Sequence, residues 1–165
     1  MQQFLESFYN VRFSDCDPFH HLNNARYIDY FLNAREDHLR DYYQMDLALF
    51  YKKGLGWVVT QHNIIYLRPA SFSEKICIRT GILAVADDYL LVEMLMLDEQ
   101  QLQMKSILQT TFIPVSLHTG KKEPHSAEFM EFITDKVLPG LSNETISLNR
   151  RTEYWQKIIK PSQNL

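Results

Sequence analysis

The sequence has few cysteines, no cationic excess and no long apolar run. Its two cysteines, Cys16 and Cys77, are too few for a disulfide scaffold and match neither a zinc spacing nor a redox pair. The formal charge of -3 provides no basic field for nucleic acid. Residues 89–97, the most apolar stretch, contain Glu93 and are too short to span a bilayer, and polar residues interrupt residues 1–11. We therefore expect a cytoplasmic protein without nucleic-acid or membrane partners.

The length and composition are those of one globular domain. The chain has 165 residues, of which 45% are hydrophobic and 22% are charged. A domain of this size buries roughly 70% of the surface that its unfolded chain exposes, so it needs no metal or disulfide for its core. We predict one domain over residues 1–140 and a C-terminal extension over residues 141–165, to which the sequence assigns no role.

The hydrophobic pattern changes from strand-like to helical and back along the chain. Alternation over residues 5–13 predicts a first strand, and a narrow polar stripe over residues 24–43 predicts a long helix that is covered on more than one side. Four further strands are predicted at residues 57–67, 73–85, 89–97 and 102–115, the last with one buried and one wetter face, and helices at 128–138 and about 152–159. This order predicts an α+β domain in which a curved antiparallel sheet of about five strands wraps around the central helix.

Most of the recognisable chemistry lies in residues 15–27, where the first strand enters the helix. This segment contains two aspartates, two histidines and two asparagines. Asn23 and Asn24 can cap the helix, whose first backbone N–H groups lack intrahelical partners and carry a partial positive charge. A nearby carboxylate is therefore favoured in its ionised form.

The loop and the order of elements resemble the 4-hydroxybenzoyl-CoA thioesterase-like branch of the hotdog-fold thioesterases. That branch carries Asp-x-Asp-x-x-Gly-His-x-Asn-Asn and then an aromatic residue, and the matching residues here are Asp15, Asp17, His21, Asn23, Asn24 and Tyr27. Its aromatic-Leu-Arg-Pro segment is present at residues 66–69. The resemblance covers about residues 8–133 and implies a hotdog fold and acyl-CoA thioesterase activity. It implies no cofactor, since coenzyme A is part of the substrate.

The sequence departs from the family pattern at two places. His20 replaces the usual glycine, and Ser73 with Glu74 replaces a usual Gly-Asp. Because glycine supplies backbone freedom at no steric cost, the change at His20 predicts a differently shaped loop.

The resemblance implies that Asp17 carries the reaction, either as nucleophile or as general base. Backbone N–H groups near Asn24 would then bind the oxyanion that develops on the thioester. His21 matches a histidine that is implicated beside the aspartate in plant acyl-carrier-protein thioesterases, and it has either a structural or a functional role. Asp15 is expected to be loop scaffolding.

Three further residues are candidates for substrate binding. Asn23 either caps the helix or contacts the thioester, and Tyr27 either lines an acyl pocket or belongs to the core. Arg68 is a candidate for binding the phosphates of coenzyme A.

Other readings of the loop are less favoured. His20 and His21 are adjacent, so their side chains diverge, and we expect no metal site. The carboxylates beside Cys16 disfavour its thiolate. The alternatives to an acyl-CoA thioesterase are an acyl-carrier-protein thioesterase, a non-catalytic acyl-CoA-binding hotdog protein and, less favoured, a hotdog dehydratase. The resemblance also implies a homodimer or homotetramer, to which an unpaired edge strand would contribute.

Overall fold

The computed structural model describes residues 4–159 and contains one five-stranded antiparallel sheet with a long helix against one face. The elements are β1 (Leu5–Asn10), a 3₁₀ turn (Phe13–Asp15), α1 (Arg26–Tyr43), α2 (Leu47–Lys52), β2 (Leu55–Tyr66), β3 (Lys75–Ala86), β4 (Tyr89–Asp98), β5 (Met104–Ser116), α3 (Ala127–Thr134) and α4 (Leu148–Ile159). The strand order is β1-β3-β4-β5-β2. The predicted α+β architecture, with about five strands and a long central helix, is confirmed.

Some element boundaries differ from the prediction. The first strand ends at Asn10, and the chain enters a 3₁₀ turn that leaves Phe13 71% exposed. The alternation that predicted a buried Phe13 is therefore interrupted by the turn. The short α2 was not predicted, although Asp46 begins it by accepting a 2.8 Å hydrogen bond from the Ala48 amide.

The core lies between α1 and the sheet face that it covers. Phe31 and Ala34 of α1 are fully buried there, and Met94 of β4 and Leu108 of β5 belong to the same cluster. The predicted polar stripe is exposed at Asp29, Asn33, Glu36 and Arg40. The helix is thus amphipathic around a narrow solvent-facing strip, as its sequence indicated.

A buried histidine joins α1 to the β1 edge of the sheet. His38 is 1% exposed, and its Nε2 lies 2.8 Å from Ser7 Oγ while its Nδ1 lies 2.7 Å from Thr80 Oγ1. Tyr9, also on β1, donates a 2.6 Å hydrogen bond to Asp37 of the helix. Burial, with a smaller contribution from the charge of Arg35, lowers the pKa of His38 to about 4.

This depressed pKa predicts acid instability. The unfolded chain protonates His38 near pH 6.5, whereas the folded chain keeps it neutral down to about pH 4, so stability is lost as the pH falls across that interval. The expected loss is on the order of 3 kcal/mol. Urea denaturation at a series of pH values should show it for the wild type and much less for His38→Gln, which cannot titrate. Equal pH dependence in both proteins would show that other groups are responsible.

The opposite face of the sheet is covered by α4, which corrects one prediction. The face of β5 predicted to be wetter carries Gln109, yet this residue is buried and its Nε2 donates a 2.8 Å hydrogen bond to the Ile146 carbonyl. Trp155 and Ile159 of α4 form a second apolar cluster with strand residues that include the buried Cys77. The alternating apolar and polar residues of β5 therefore point to two different faces of the sheet, and both faces are buried. Polar side chains are accommodated on one of them because α4 and the segment just before it supply hydrogen-bond partners.

The central partner on that face is Glu93 of β4, which is fully buried. Arg151 of α4 donates two hydrogen bonds to its carboxylate, at 2.9 and 2.7 Å, and Trp155 Nε1 donates a third at 2.7 Å. Such a pair is tolerated inside a protein only when its hydrogen-bonding groups are satisfied, as they are here. Among the helices formed by residues 4–159, none is long and apolar enough to cross a membrane.

Candidate active site

The loop before α1 is a small hairpin with one polar face. The Asp17 amide donates to the His21 carbonyl at 2.8 Å, the Asn23 amide donates to the Asp15 carbonyl at 2.9 Å, and Cys16 lies opposite Leu22 in an antiparallel bridge. Directly opposed residues of such a pair project to the same side. The buried Leu22 marks the core side. By this alternation Asp17 and His21 project to the other side, whereas the Asp15 side chain contacts Tyr30.

The Asp17 carboxylate is held through one of its two oxygens. Its Oδ1 accepts hydrogen bonds from the backbone amides of Phe19 at 2.9 Å and His21 at 3.1 Å. Its Oδ2 has no hydrogen-bond partner among residues 4–159, and the residue is only half-buried. The loop thus fixes the orientation of the carboxylate and leaves one oxygen available for a ligand. The His21 side chain likewise makes no hydrogen bond within the described part of the chain.

The backbone at His20 is left-handed, with φ of 61°. Ser73, the second position where the sequence departs from a family glycine, has φ of 65°. Both positions therefore keep the conformation that glycine adopts without steric cost. A loop shaped differently from that of the family stays a prediction. The change adds an exposed imidazole, and the His20 carbonyl still accepts a 2.8 Å hydrogen bond from the Phe72 amide.

Helix α1 begins at Arg26, two residues after the predicted Asn24, and its N-cap residue is Ala25, which has no side-chain cap. The side-chain cap predicted from Asn23 or Asn24 is therefore not formed, and Asn23 instead closes the turn that precedes the helix. Asn23 Oδ1 accepts from the Ala25 amide at 3.0 Å, and its carbonyl accepts from the Arg26 amide at 2.8 Å. The Asn24 carbonyl accepts a 2.8 Å hydrogen bond from Tyr66 Oη. Within the described residues the backbone amide of Asn24 has no acceptor. It is a free donor beside the positive end of the helix.

Two tyrosines attach this loop to the body of the protein. Tyr30 Oη donates a 2.8 Å hydrogen bond to Asp15 Oδ2, which gives Asp15 a scaffolding contact of the kind expected. Tyr27 is 2% exposed, stacks edge-on against Tyr66, and accepts a 3.1 Å hydrogen bond from the Ala70 amide. Tyr27 therefore has a structural role, and its predicted contact with substrate stays a prediction.

Arg68 lies just beyond the end of β2. Its amide donates to the Lys105 carbonyl at 3.1 Å, while its exposed guanidinium forms no ion pair with residues 4–159. Because Tyr66, two residues earlier, contacts Asn24, Arg68 is at the same end of the molecule as the loop. The neighbouring segment is held by an ion pair of 2.7 Å between Lys105 and Glu74.

The other two readings of the loop were a reactive Cys16 thiol and a metal site. Desolvation, followed by the charges of Asp15 and Asp17, raises the pKa of the Cys16 thiol. The thiol is thus further from the reactive thiolate than an ordinary cysteine. Within residues 4–159, no group of three or more histidine, cysteine, aspartate or glutamate side chains is arranged to hold a metal ion.

An apolar cavity of about 200 Å³ lies beside the second half of α1. Most of its lining is apolar and comes from α1, α2, β2, β4, β5 and α3, with Leu32, Leu39, Trp57, Phe112, Phe129 and Ile133 among the walls. Loop residues 15–24 do not line it. Strand β2 links the two regions, since Tyr66 near one end contacts Asn24 and Trp57 near the other end lines the cavity.

One residue of this cavity was missed by sequence reasoning. Arg35 lines it and is 9% exposed, although the sequence analysis assigned it no role. The available signal was its spacing, because Arg35 lies four residues after Phe31 and four before Leu39, both buried on the apolar face. An arginine at such a position is a buried charge.

Residues 11–133 match the family model described as the thioesterase-like superfamily. The long-chain acyl-CoA thioesterase FadM of Escherichia coli K12 is 28% identical over 129 residues, which cover 77% of this chain and 95% of FadM.

Solved structures agree in fold. The crystal structure of the probable thioesterase YbaW from Escherichia coli is 25% identical, with a TM-score of 0.69 over 81% of this chain and 98% of that one. A DHNA-CoA thioesterase from Staphylococcus aureus is 17% identical, with a TM-score of 0.74 over 80% of this chain and 89% of the other. This second likeness concerns the fold alone. The predicted hotdog fold is confirmed by these neighbours.

Proposed function

Because the chain belongs to the thioesterase-like superfamily, we propose that this thioester hydrolase cleaves acyl-CoA thioesters and that Asp17 is its catalytic carboxylate. The name of FadM as an acyl-CoA thioesterase supports the substrate class. The observation that carries the proposal is the Asp17 side chain, with Oδ1 held by two backbone amides and Oδ2 unoccupied by any described residue. A fixed carboxylate with one available oxygen suits both roles that thioester hydrolysis requires of such a group.

Two chemical routes use the same oxygen. As nucleophile, Oδ2 attacks the thioester carbon, the C–S bond breaks to release the CoA thiolate, and water then hydrolyses the acyl-aspartyl anhydride. As general base, Oδ2 takes a proton from water, whose oxygen attacks the same carbon, and the proton passes to the departing sulfur. In both routes the products are the free acid and coenzyme A. Isotopic oxygen from labelled water would appear in Asp17 only in the first route.

The developing oxyanion would be bound by amides at the start of α1. The Asn24 amide has no acceptor among the described residues and lies beside the positive end of the helix. Donors of this kind typically contribute about 100- to 1000-fold in rate. In the same proposal His21, on the face of the hairpin that carries Asp17, orients the thioester. Asn23 fixes the turn before the helix through its contacts with the Ala25 and Arg26 amides, and Tyr27 supports the acyl site.

Coenzyme A would extend from the loop towards solvent. Arg68 is exposed near this end of the molecule, so its guanidinium is available for a phosphate. No cofactor takes part in either route.

We further propose that the chain forms a homodimer, or a pair of dimers, through β2. This strand is at one edge of the sheet, and it exposes Val58, Val59 and Tyr66. An exposed apolar edge strand is a template for pairing with a second copy. Since Tyr66 also contacts Asn24, such a pairing would bring the seam close to the catalytic loop.

Val58→Lys is expected to convert this assembly to monomers, because a lysine on an edge strand opposes sheet pairing. Light scattering should give about twice the chain mass, or a multiple of it, for the wild type and the mass of one chain for the variant. Leu102→Lys, which changes another exposed apolar residue but one outside the strands, is the control and should retain the wild-type mass. A monomeric wild type would contradict the proposal.

The activity itself is tested by thiol release from a panel of short, long and aromatic acyl-CoAs. The same acyl groups on acyl-carrier protein provide the comparison. Turnover of the CoA thioesters supports the proposal, whereas turnover on the carrier protein alone would assign the enzyme to that substrate. Tight binding of acyl-CoA without turnover would identify a non-catalytic binding protein.

A further inference from the structure

The guanidinium of Arg35 is the one cationic group among the residues that line the cavity beside α1. The residue is 91% buried, and its guanidinium carbon lies 5.4 Å from the centre of the Phe112 ring, which also lines the cavity. The ring face offers a favourable but partial electrostatic partner. The cation therefore lies among the mostly apolar walls of the cavity.

No described residue neutralises this charge. Arg35 forms no ion pair and no side-chain hydrogen bond with any residue from 4 to 159. Glu36 lines the same cavity but is exposed and does not pair with it. Burial lowers the pKa of Arg35 only to about 10, so the group stays charged at neutral pH. A buried charge without a counter-ion is costly, which contrasts with the fully paired Arg151 on the other side of the sheet.

The cavity has the dimensions of the far end of an acyl group. A volume of about 200 Å³ exceeds the roughly 150 Å³ that encloses a benzene molecule in an engineered apolar cavity. About ten helical residues separate the Asn24 amide from Arg35, which corresponds to a distance of roughly 15 Å along the axis of α1. At about 1.2 Å per bond of extended chain, roughly ten to twelve carbons span this distance.

We propose that Arg35 binds a carboxylate at the far end of the acyl group, so that the preferred substrates are ω-carboxyacyl-CoAs of about ten to twelve carbons. The inference rests on the proposed thioesterase function and names its substrate class. The apolar walls would contact the methylene chain, and the guanidinium would form paired hydrogen bonds with the terminal carboxylate. A shorter carboxylated chain would leave its charge among apolar side chains, short of Arg35.

The experiment compares acyl-CoAs of equal length with and without the terminal carboxylate. At ten carbons, kcat/KM for sebacoyl-CoA should exceed that for decanoyl-CoA by about 30-fold, the effect of one hydrogen-bonded charge. At six carbons the order should reverse, with hexanoyl-CoA preferred over adipoyl-CoA. Equal kcat/KM values for the two ten-carbon substrates would overturn the inference.

Arg35→Met is the decisive variant because it removes the charge and keeps an unbranched apolar side chain. The ratio of sebacoyl-CoA to decanoyl-CoA turnover should fall by about 30-fold or more. Arg40→Met, the same substitution on an exposed residue of the same helix, should leave this ratio at its wild-type value. An Arg35→Met variant that keeps the preference would also overturn the inference. The melting temperature of Arg35→Met should be higher than that of the wild type, because the substitution removes a buried charge without a counter-ion. This measurement also shows that the variant is folded.

A binding measurement separates this inference from the proposed function. Titration calorimetry with free sebacate and free decanoate requires no turnover. If no thioester is hydrolysed but sebacate binds more tightly to the wild type than to Arg35→Met, the cavity assignment stands and the hydrolase proposal fails. If acyl-CoAs are hydrolysed but sebacate shows no such preference, the hydrolase proposal stands and the role of Arg35 is wrong.

Discussion

Asp17→Asn is expected to lower kcat for acyl-CoA hydrolysis on the order of 1000-fold with the fold intact. Asparagine keeps an oxygen that can accept from the Phe19 and His21 amides, so the hairpin retains its hydrogen bonds. The amide cannot act as a nucleophile or take a proton, so both chemical routes are blocked. Thiol-release kinetics and circular dichroism measure the two parts of this expectation. A variant with wild-type turnover would end the assignment of Asp17.

Asp15→Asn is the matched control for this substitution. Asp15 is in the same hairpin, two residues away, and its side chain accepts a hydrogen bond from Tyr30. Asparagine can still accept that bond, so we expect activity within a few-fold of the wild type. A loss as large as that of Asp17→Asn would mean that removing either charge disturbs the loop. The contrast between the two variants therefore separates chemistry from scaffolding.

Arg151→Met is expected to lower the free energy of unfolding by about 3 to 5 kcal/mol, the cost of breaking one side of a buried ion pair. Glu93 is 0% exposed and would keep only the hydrogen bond from Trp155. Its charge could then be relieved only by protonation or by movement of α4. Urea denaturation followed by circular dichroism gives the magnitude.

Two further variants make this measurement specific. Arg150→Met removes the adjacent arginine, whose contact with Glu153 is a 3.5 Å exposed pair, and should change stability by less than about 0.5 kcal/mol. Combining Glu93→Gln with Arg151→Met removes both charges and should recover more than half of the lost stability. If the double variant is no more stable than Arg151→Met alone, the bare charge is not the cause.

Much of the architecture was predictable because the pattern of apolar and polar residues within each segment matches the side chains that the fold buries and exposes. The polar stripe of α1 correctly placed its solvent face, and alternation correctly placed the main strands. Two predictions were wrong for the same physical reason. The sequence of a short segment does not show which other segment will cover it in the folded chain. The polar face of β5 is buried by α4, about 40 residues further along the chain, and the alternation before Phe13 does not show the 3₁₀ turn.

The residues of the candidate site likewise divide into those whose role the local sequence indicates and those whose role only the folded structure shows. A helix cap by asparagine was predicted, but the N-cap is Ala25 and Asn23 instead closes the turn before the helix. Asp15 was expected to be loop scaffolding, and it accepts a hydrogen bond from Tyr30. Arg35 could not be assigned because its importance depends on the absence of a partner in three dimensions. His38 was missed for the related reason that its partners, Ser7 and Thr80, come from strands far away in the sequence.

The position of α4 also restricts how copies of this chain can associate. With its arginine and tryptophan anchored on Glu93, the helix occupies the side of β4 and β5 that faces away from α1. Sheets of neighbouring subunits cannot stack back to back over this area without displacing that helix. Any association on this side would have to use the outer surface of α4, where Tyr154 and Ile158 are exposed, and not the strands themselves.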